Sequence, residues 1–138
     1  MDIKENVRQL VKKHQTNNPF KIAKALDIII VYENLGDILG YYSKSHRFQV
    51  IHINENSSEE QQVFTCAHEL GHAILHPYSN SSFLKSSTFF SADKLEIEAN
   101  TFAVELMLSR EVICPITIHE AVENYGIPEQ LLIKKFYA

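Results

Sequence analysis

Thr65-Cys66-Ala67-His68-Glu69-Leu70-Gly71-His72 sets two imidazoles four residues apart, with a carboxylate directly after the first. On an α-helix, residues i and i+4 share a face, so His68 and His72 can point at one tetrahedral zinc ion. Glu69 sits about 100° further round the axis, near enough to touch a water on that ion. The flanks support a helix. Ser57-x-x-Glu60 reads as a capping box, which starts the helix near Ser58, and Pro77 prevents its continuation past about His76. On a helical wheel Val63, Cys66, Ala67, Leu70 and Ile74 form one stripe, and Gln61, Phe64, Thr65, His68, His72 and His76 lie opposite. One face for the core and one turned to a cleft is what a metal-bearing helix needs.

Upstream, Ile3, Val7, Leu10 and Val11 keep a 3.6-residue period and predict a helix over 3–14. Asn17-Asn18-Pro19 is a turn, and Pro19 leads Phe20, Ile22, Ala23 and Leu26 into a second short helix. The β-branched run 28–32 then reads as a strand, 34–37 as a turn around Gly36, and 40–43 and 48–53 as two further strands about a polar turn at 44–47. Such short connections predict a small, mainly antiparallel three-stranded sheet.

Downstream, residues 77–91 form a Ser-rich loop carrying Phe83, Leu84, Phe89 and Phe90. A loop of that length serves as a lid, a substrate platform or simple packing over the metal helix. Ser91 or Asp93 caps the next helix, which runs to about Leu108 with Leu95, Phe102 and Leu106 as its stripe and Glu98 at the stripe's edge. Residues 109–138 read as two short helices, with a capping box at Thr117-x-x-Glu120, Gly126 as a stop and Pro128 as a start; Leu131, Leu132 and Phe136 would dock on the core.

A catalytic zinc takes three protein ligands and leaves one position open. His68 and His72 supply two. The third is sought among His76, Glu98, Glu96 and Glu105. Three imidazoles in line along one straight helix cannot easily surround an ion, so His76 is better read as a polar residue near the helix C-terminus, favoured there by the dipole when protonated, with a supporting place beside the site as the alternative. Glu98, on a second helix able to cross the first, is the strongest choice. Tyr78, His76 and His119 are candidates to stabilise an oxyanion, and Glu105 is a further candidate near the site.

The pair of segments His68-Glu69-Leu70-Gly71-His72 and Glu98-Ala99-Asn100-x-Phe102-Ala103-x-Glu105-Leu106 resembles the ImmA/IrrE family of zinc metallopeptidases. Asn18-Pro19-Phe20-x-Ile22-Ala23 and Gly40-Tyr41-Tyr42 are similar to that family too, so the resemblance extends over roughly residues 16–110. Leu106-Met107-Leu108-Ser109 departs from it, lacking the Pro that many members carry there. The resemblance implies a compact α+β, zincin-like fold of about five to six helices with the small sheet, in a single domain over 1–138. It also implies one zinc per chain, held in a gluzincin-like way by His68, His72 and Glu98, with Glu69 as general base. The activity implied is that of an endopeptidase, and its protein substrate a helix-turn-helix repressor of a phage or mobile element, whose cleavage derepresses transcription.

Composition agrees with a normal globular chain: 45% hydrophobic and 22% charged, with a net charge of −4. That charge and the scattering of Lys and Arg argue against direct nucleic-acid binding. The first residues contain no apolar signal segment, and no run approaches the length of a membrane span, so a cytoplasmic location is expected. Cys66 and Cys114 are read as free, buried thiols. The contrasting expectation is a binding module without proteolysis, an anti-repressor or a toxin–antitoxin component with a zinc site. Glu69 argues for the enzyme, because a purely structural site has no use for it.

Overall fold

The computed structural model describes residues 2–81, 83–85, 89, 91–109 and 118–137. Among these, six helices and three strands follow the order α1 (Ile3–His14), α2 (Pro19–Ala25), β1 (Ile29–Glu33), β2 (Gly40–Ser45), β3 (Phe48–Asn54), α3 (Glu59–Leu75), α4 (Lys94–Met107), α5 (Ile118–Tyr125) and α6 (Glu129–Tyr137). This is the expected α+β architecture. No described helix is long and apolar enough to cross a membrane.

The caps explain the helix limits. Asn18 accepts from Phe20 and Lys21 N–H at 2.9 and 3.3 Å, with Pro19 at the first helical position. At α3 the capping box lies one residue later than expected: Ser58 Oγ accepts from Gln61 N–H at 3.1 Å, and Gln61 Oε1 accepts from Ser58 N–H at 3.0 Å. Asp93 caps α4 by accepting from Leu95 and Glu96 N–H. Gly126 ends α5 at φ +65°. Thr117, Phe90 and Cys114 lie outside the described residues; Cys66 is a buried free thiol, as expected.

The sheet order is β1-β3-β2. β2 and β3 pair antiparallel, as a hairpin through His46 and Arg47 should. β1 and β3 pair in parallel, from Ile29 opposite Val50 to Glu33 opposite Asn54. The sheet is therefore mixed, with Phe48–Asn54 at its centre. The cause is the segment 34–39, which crosses the end of β3 instead of turning back along β1. Asn54 Nδ2 clamps it there, donating to Gly36 O at 2.9 Å and Ile38 O at 3.0 Å.

α3 lies between the sheet and α4. Its burial is not confined to one stripe: every residue from Phe64 to Ala73 is buried, histidines included. Two close approaches make this possible. A Cβ on Gly71 would meet the Phe102 side chain of α4 at 3.1 Å, and one on Gly40 would meet Thr65 Cγ2 at 2.6 Å. Glycine at these positions lets α4 and the start of β2 close on the two flanks of α3.

Candidate metal centre

His68 and His72 are 0% and 2% exposed, and their ring centroids are 5.0 Å apart. The carboxylate that faces both rings is Glu96. His68 Nε2 lies 3.3 Å from Glu96 Oε1, and His72 Nε2 lies 2.7 Å from Glu96 Oε2. The second approach is not aligned as a hydrogen bond, for His72 Nε2 remains without a hydrogen-bond partner among the described residues. The two atoms point toward shared space rather than along a common N–H···O line.

Glu98, the expected third member, is elsewhere. Its Oε1 accepts from His76 Nε2 at 2.8 Å, and His76 Nδ1 lies 3.1 Å from His72 Nδ1. The geometry therefore sets the carboxylates two residues apart from what the sequence suggests. The reason lies in which face of α4 meets α3. Leu95 is 38% exposed, whereas Glu96, Ala99, Asn100, Ala103 and Met107 are buried. Phe102 packs directly on Gly71, and the buried face continues through Ala99 and Ala103 to take in Glu96 and Asn100, leaving only Leu95 of the bulky stripe part-exposed.

Glu69 is fully buried on α3. Its Oε1 accepts from Ser81 Oγ at 3.0 Å, and its Oε2 has no partner among the described residues. Ligand atoms of His68, Glu69 and His72 all fall within 4.8 Å of one another. The remaining expected residues are not brought together here. Tyr78 is 86% exposed, with the Lys44 ammonium over its ring. Glu105 pairs with Lys135 of α6, and His119 is exposed on α5. In the 77–91 segment Phe89 packs edge-on against Phe64 of α3, and Phe83 against Tyr41. A cavity of about 610 Å³ opens at the start of α3 between Gln61, Phe89 and Val122, but contains none of the buried cluster.

Electrostatics set distinct states for these groups. Burial lowers the His68 pKa, opposed by Glu96. Burial works to raise Glu96, but the His68 and His72 imidazoles outweigh it and hold the carboxyl at about 2. Burial pushes Glu69 well above the ordinary carboxylate range, with the Ser81 hydrogen bond opposing. A neutral imidazole facing an ionised carboxylate is the protonation pattern a divalent cation requires. The orphaned His72 Nε2 and Glu69 Oε2 add buried lone pairs without partners. The residues present fit a metal ion.

Two contributors escaped the sequence reading. Asn100 lies against His68, four residues after Glu96 on the same face. That i, i+4 polar pair flanked by alanines was the available signal. Ser81 gave none, being one serine of a polar segment.

Residues 23–136 match the family described as the IrrE N-terminal-like domain, Peptidase M78. The chain is 42% identical over 135 residues to immunity region protein 2 of Bacillus phage phi105, covering 94% of this chain and 85% of that one. It is 37% identical over 113 residues to the metallopeptidase ImmA of Bacillus subtilis (strain 168), covering 80% of this chain and 66% of ImmA.

Proposed function

Because this chain belongs to the IrrE N-terminal-like peptidases, the ImmA/IrrE family, we propose that it is a zinc-dependent endopeptidase that cleaves a helix-turn-helix repressor in the cytoplasm. The observation that carries the reading is the convergence of His68 and His72 on the two oxygens of Glu96, with buried Glu69 alongside. His68, His72 and Glu96 would hold one zinc per chain, in place of the set with Glu98. Zinc so held supplies Lewis acidity that polarises a carbonyl and brings the pKa of water from 15.7 to about 7.

The chain's own groups do the rest. Glu69 takes a proton from the attacking water on its carboxylate and returns it to the leaving amine. Its buried setting raises its basicity toward the working pH. Asn100 Oδ1, beside His68, would offer an acceptor to His68 Nδ1–H once Nε2 serves the metal; neither atom has a partner among the described residues. On the other ring, His72 Nδ1–H donates to His76 Nδ1, and His76 Nε2–H donates to Glu98 Oε1. This chain of donors fixes the tautomer of His72, which makes His76 and Glu98 positioning residues. His76→Phe is expected to weaken zinc binding roughly 10–100-fold in competition with a chelating dye, with the fold retained. His76→Gln, which keeps an acceptor, should lose less. Unchanged affinity in His76→Phe would remove that residue from the site.

The substrate reading rests on the immunity-region relative and on ImmA. Its test is to incubate zinc-loaded protein with helix-turn-helix repressors from neighbouring genes. Cutting at a discrete bond, stopped by phenanthroline, is the expected result. A repressor that stays intact yet loses its operator would instead mark a non-proteolytic binding module.

A further inference from the structure

The outer edge of β2 is occupied by the chain itself. In an antiparallel strand alternate residues turn their backbone groups to opposite sides. Here Tyr41 and Ser43 belong to the β3 side, while Gly40, Tyr42 and Lys44 turn outward. Four of these outward groups are met by the segment after α3. Leu84 N–H donates to Gly40 O at 2.8 Å, and Ser81 N–H to Tyr42 O at 3.0 Å. Tyr42 N–H donates to Ser81 Oγ at 2.6 Å, and Lys44 N–H to Asn80 Oδ1 at 2.8 Å. The same Ser81 hydroxyl spends its proton on Glu69 Oε1 at 3.0 Å. The segment thus covers a strand edge and the candidate general base together.

We infer that Asn80 and Ser81 are a built-in plug: they fill the edge of β2 that an extended peptide must take to reach Glu69, and they must leave before one can dock. The inference rests on the zinc-peptidase reading of the site. Three features support it. Glu69 is 0% exposed, so a base that must meet a water has no route to one while Ser81 is seated. A peptide adding to a sheet edge offers a backbone carbonyl to each outward N–H; here Tyr42 and Lys44 receive side-chain oxygens instead, a pairing that a regular ladder can replace. The plug is also anchored at both ends, which confines the opening to its middle. Tyr42 OH donates to Pro77 O at 2.7 Å, and Leu84 is fully buried. Among the described residues, the hydrogen bonds that hold this middle to the β2 edge are those of Asn80 and Ser81, so its release leaves the core anchors in place.

The test compares wild type with the double variant Asn80→Gly, Ser81→Gly, which leaves Leu84 and the proposed ligands in place. Cobalt-substituted protein is titrated with acetyl-Ala-Ala-Ala hydroxamate and followed by its visible spectrum. The variant is expected to bind at least about tenfold more tightly than wild type, with a smaller gain for acetohydroxamate, which needs no strand edge. In parallel, amide hydrogen exchange is read at Tyr42 and Lys44 with and without metal. Both amides should exchange in wild type by local opening, well ahead of global unfolding, and faster in the variant. Equal hydroxamate affinity in the two proteins overturns the plug. So does exchange at Tyr42 and Lys44 only through global unfolding. Failure to bind cobalt overturns the ligand set instead, and the exchange comparison in the metal-free protein then decides the plug alone.

Discussion

Glu96→Ala is expected to leave purified protein without stoichiometric zinc, its affinity lowered by well over ~100-fold, whereas Glu98→Ala keeps one equivalent at roughly 10–100-fold lower affinity. The difference follows from position. Glu96 puts an oxygen opposite each ring nitrogen, at 3.3 and 2.7 Å, in a buried site. Removing it takes away the carboxylate that faces both imidazoles, and neither Glu98 nor Glu105 can replace it. Glu98 is engaged with His76, and Glu105 with Lys135. Removing Glu98 frees His76 Nε2 of its acceptor, which loosens the orientation of His72 but leaves all three ligands in place. Metal content after gel filtration and dye competition separate the cases. Zinc retained by Glu96→Ala and lost by Glu98→Ala would return the third ligand to the residue the sequence favoured.

That contrast also shows how far the residues speak for themselves. The caps at Asn18 and Asp93, the proline after α3 and the period of α1 are local signals, and the helices follow them closely. His68, Glu69 and His72 are legible because their spacing alone puts them on one turn. The choice between Glu96 and Glu98 is not local. It depends on which face of α4 meets α3, and the wheel gave that face to the bulky Leu95, Phe102 and Leu106. The contact keeps Phe102, which sits on Gly71, and Leu106, but it also takes in Ala99, Ala103 and Glu96 while leaving Leu95 part-exposed. The parallel pairing of β1 was hidden for a similar reason. Nothing in a strand's own residues names its neighbour; Asn54, a polar residue at a strand end, carries the clamp that decides it. The plug was least legible, since a serine-rich run reads as a loop until the edge it covers is known.

Glu69→Gln is expected to keep zinc and the fold but lose about 10²–10⁴-fold in the rate of peptide cleavage, the usual contribution of a positioned general base. At about 1.36 kcal/mol per decade this is roughly 2.7–5.4 kcal/mol of barrier. Glutamine matches glutamate in shape, and its Oε1 can still accept from Ser81 Oγ. It cannot take a proton from water. The same substitution has a separate signature in stability. Burial raises the pKa of Glu69 above its ordinary 4.5 in the folded state. A group raised in this way contributes stability that is present below the unfolded value and lost as pH rises toward the folded one. Relative to Glu69→Gln, metal-free wild type should therefore lose stability as pH climbs above about 4.5, the contribution of His68 being common to both proteins. Thermal melts of both metal-free proteins at pH 5 and pH 8 measure the difference. Parallel loss in the two would mean that Glu69 is as well solvated in the folded chain as in the unfolded one. Cleavage by Glu69→Gln at the wild-type rate would remove Glu69 as the base, whatever the melts show.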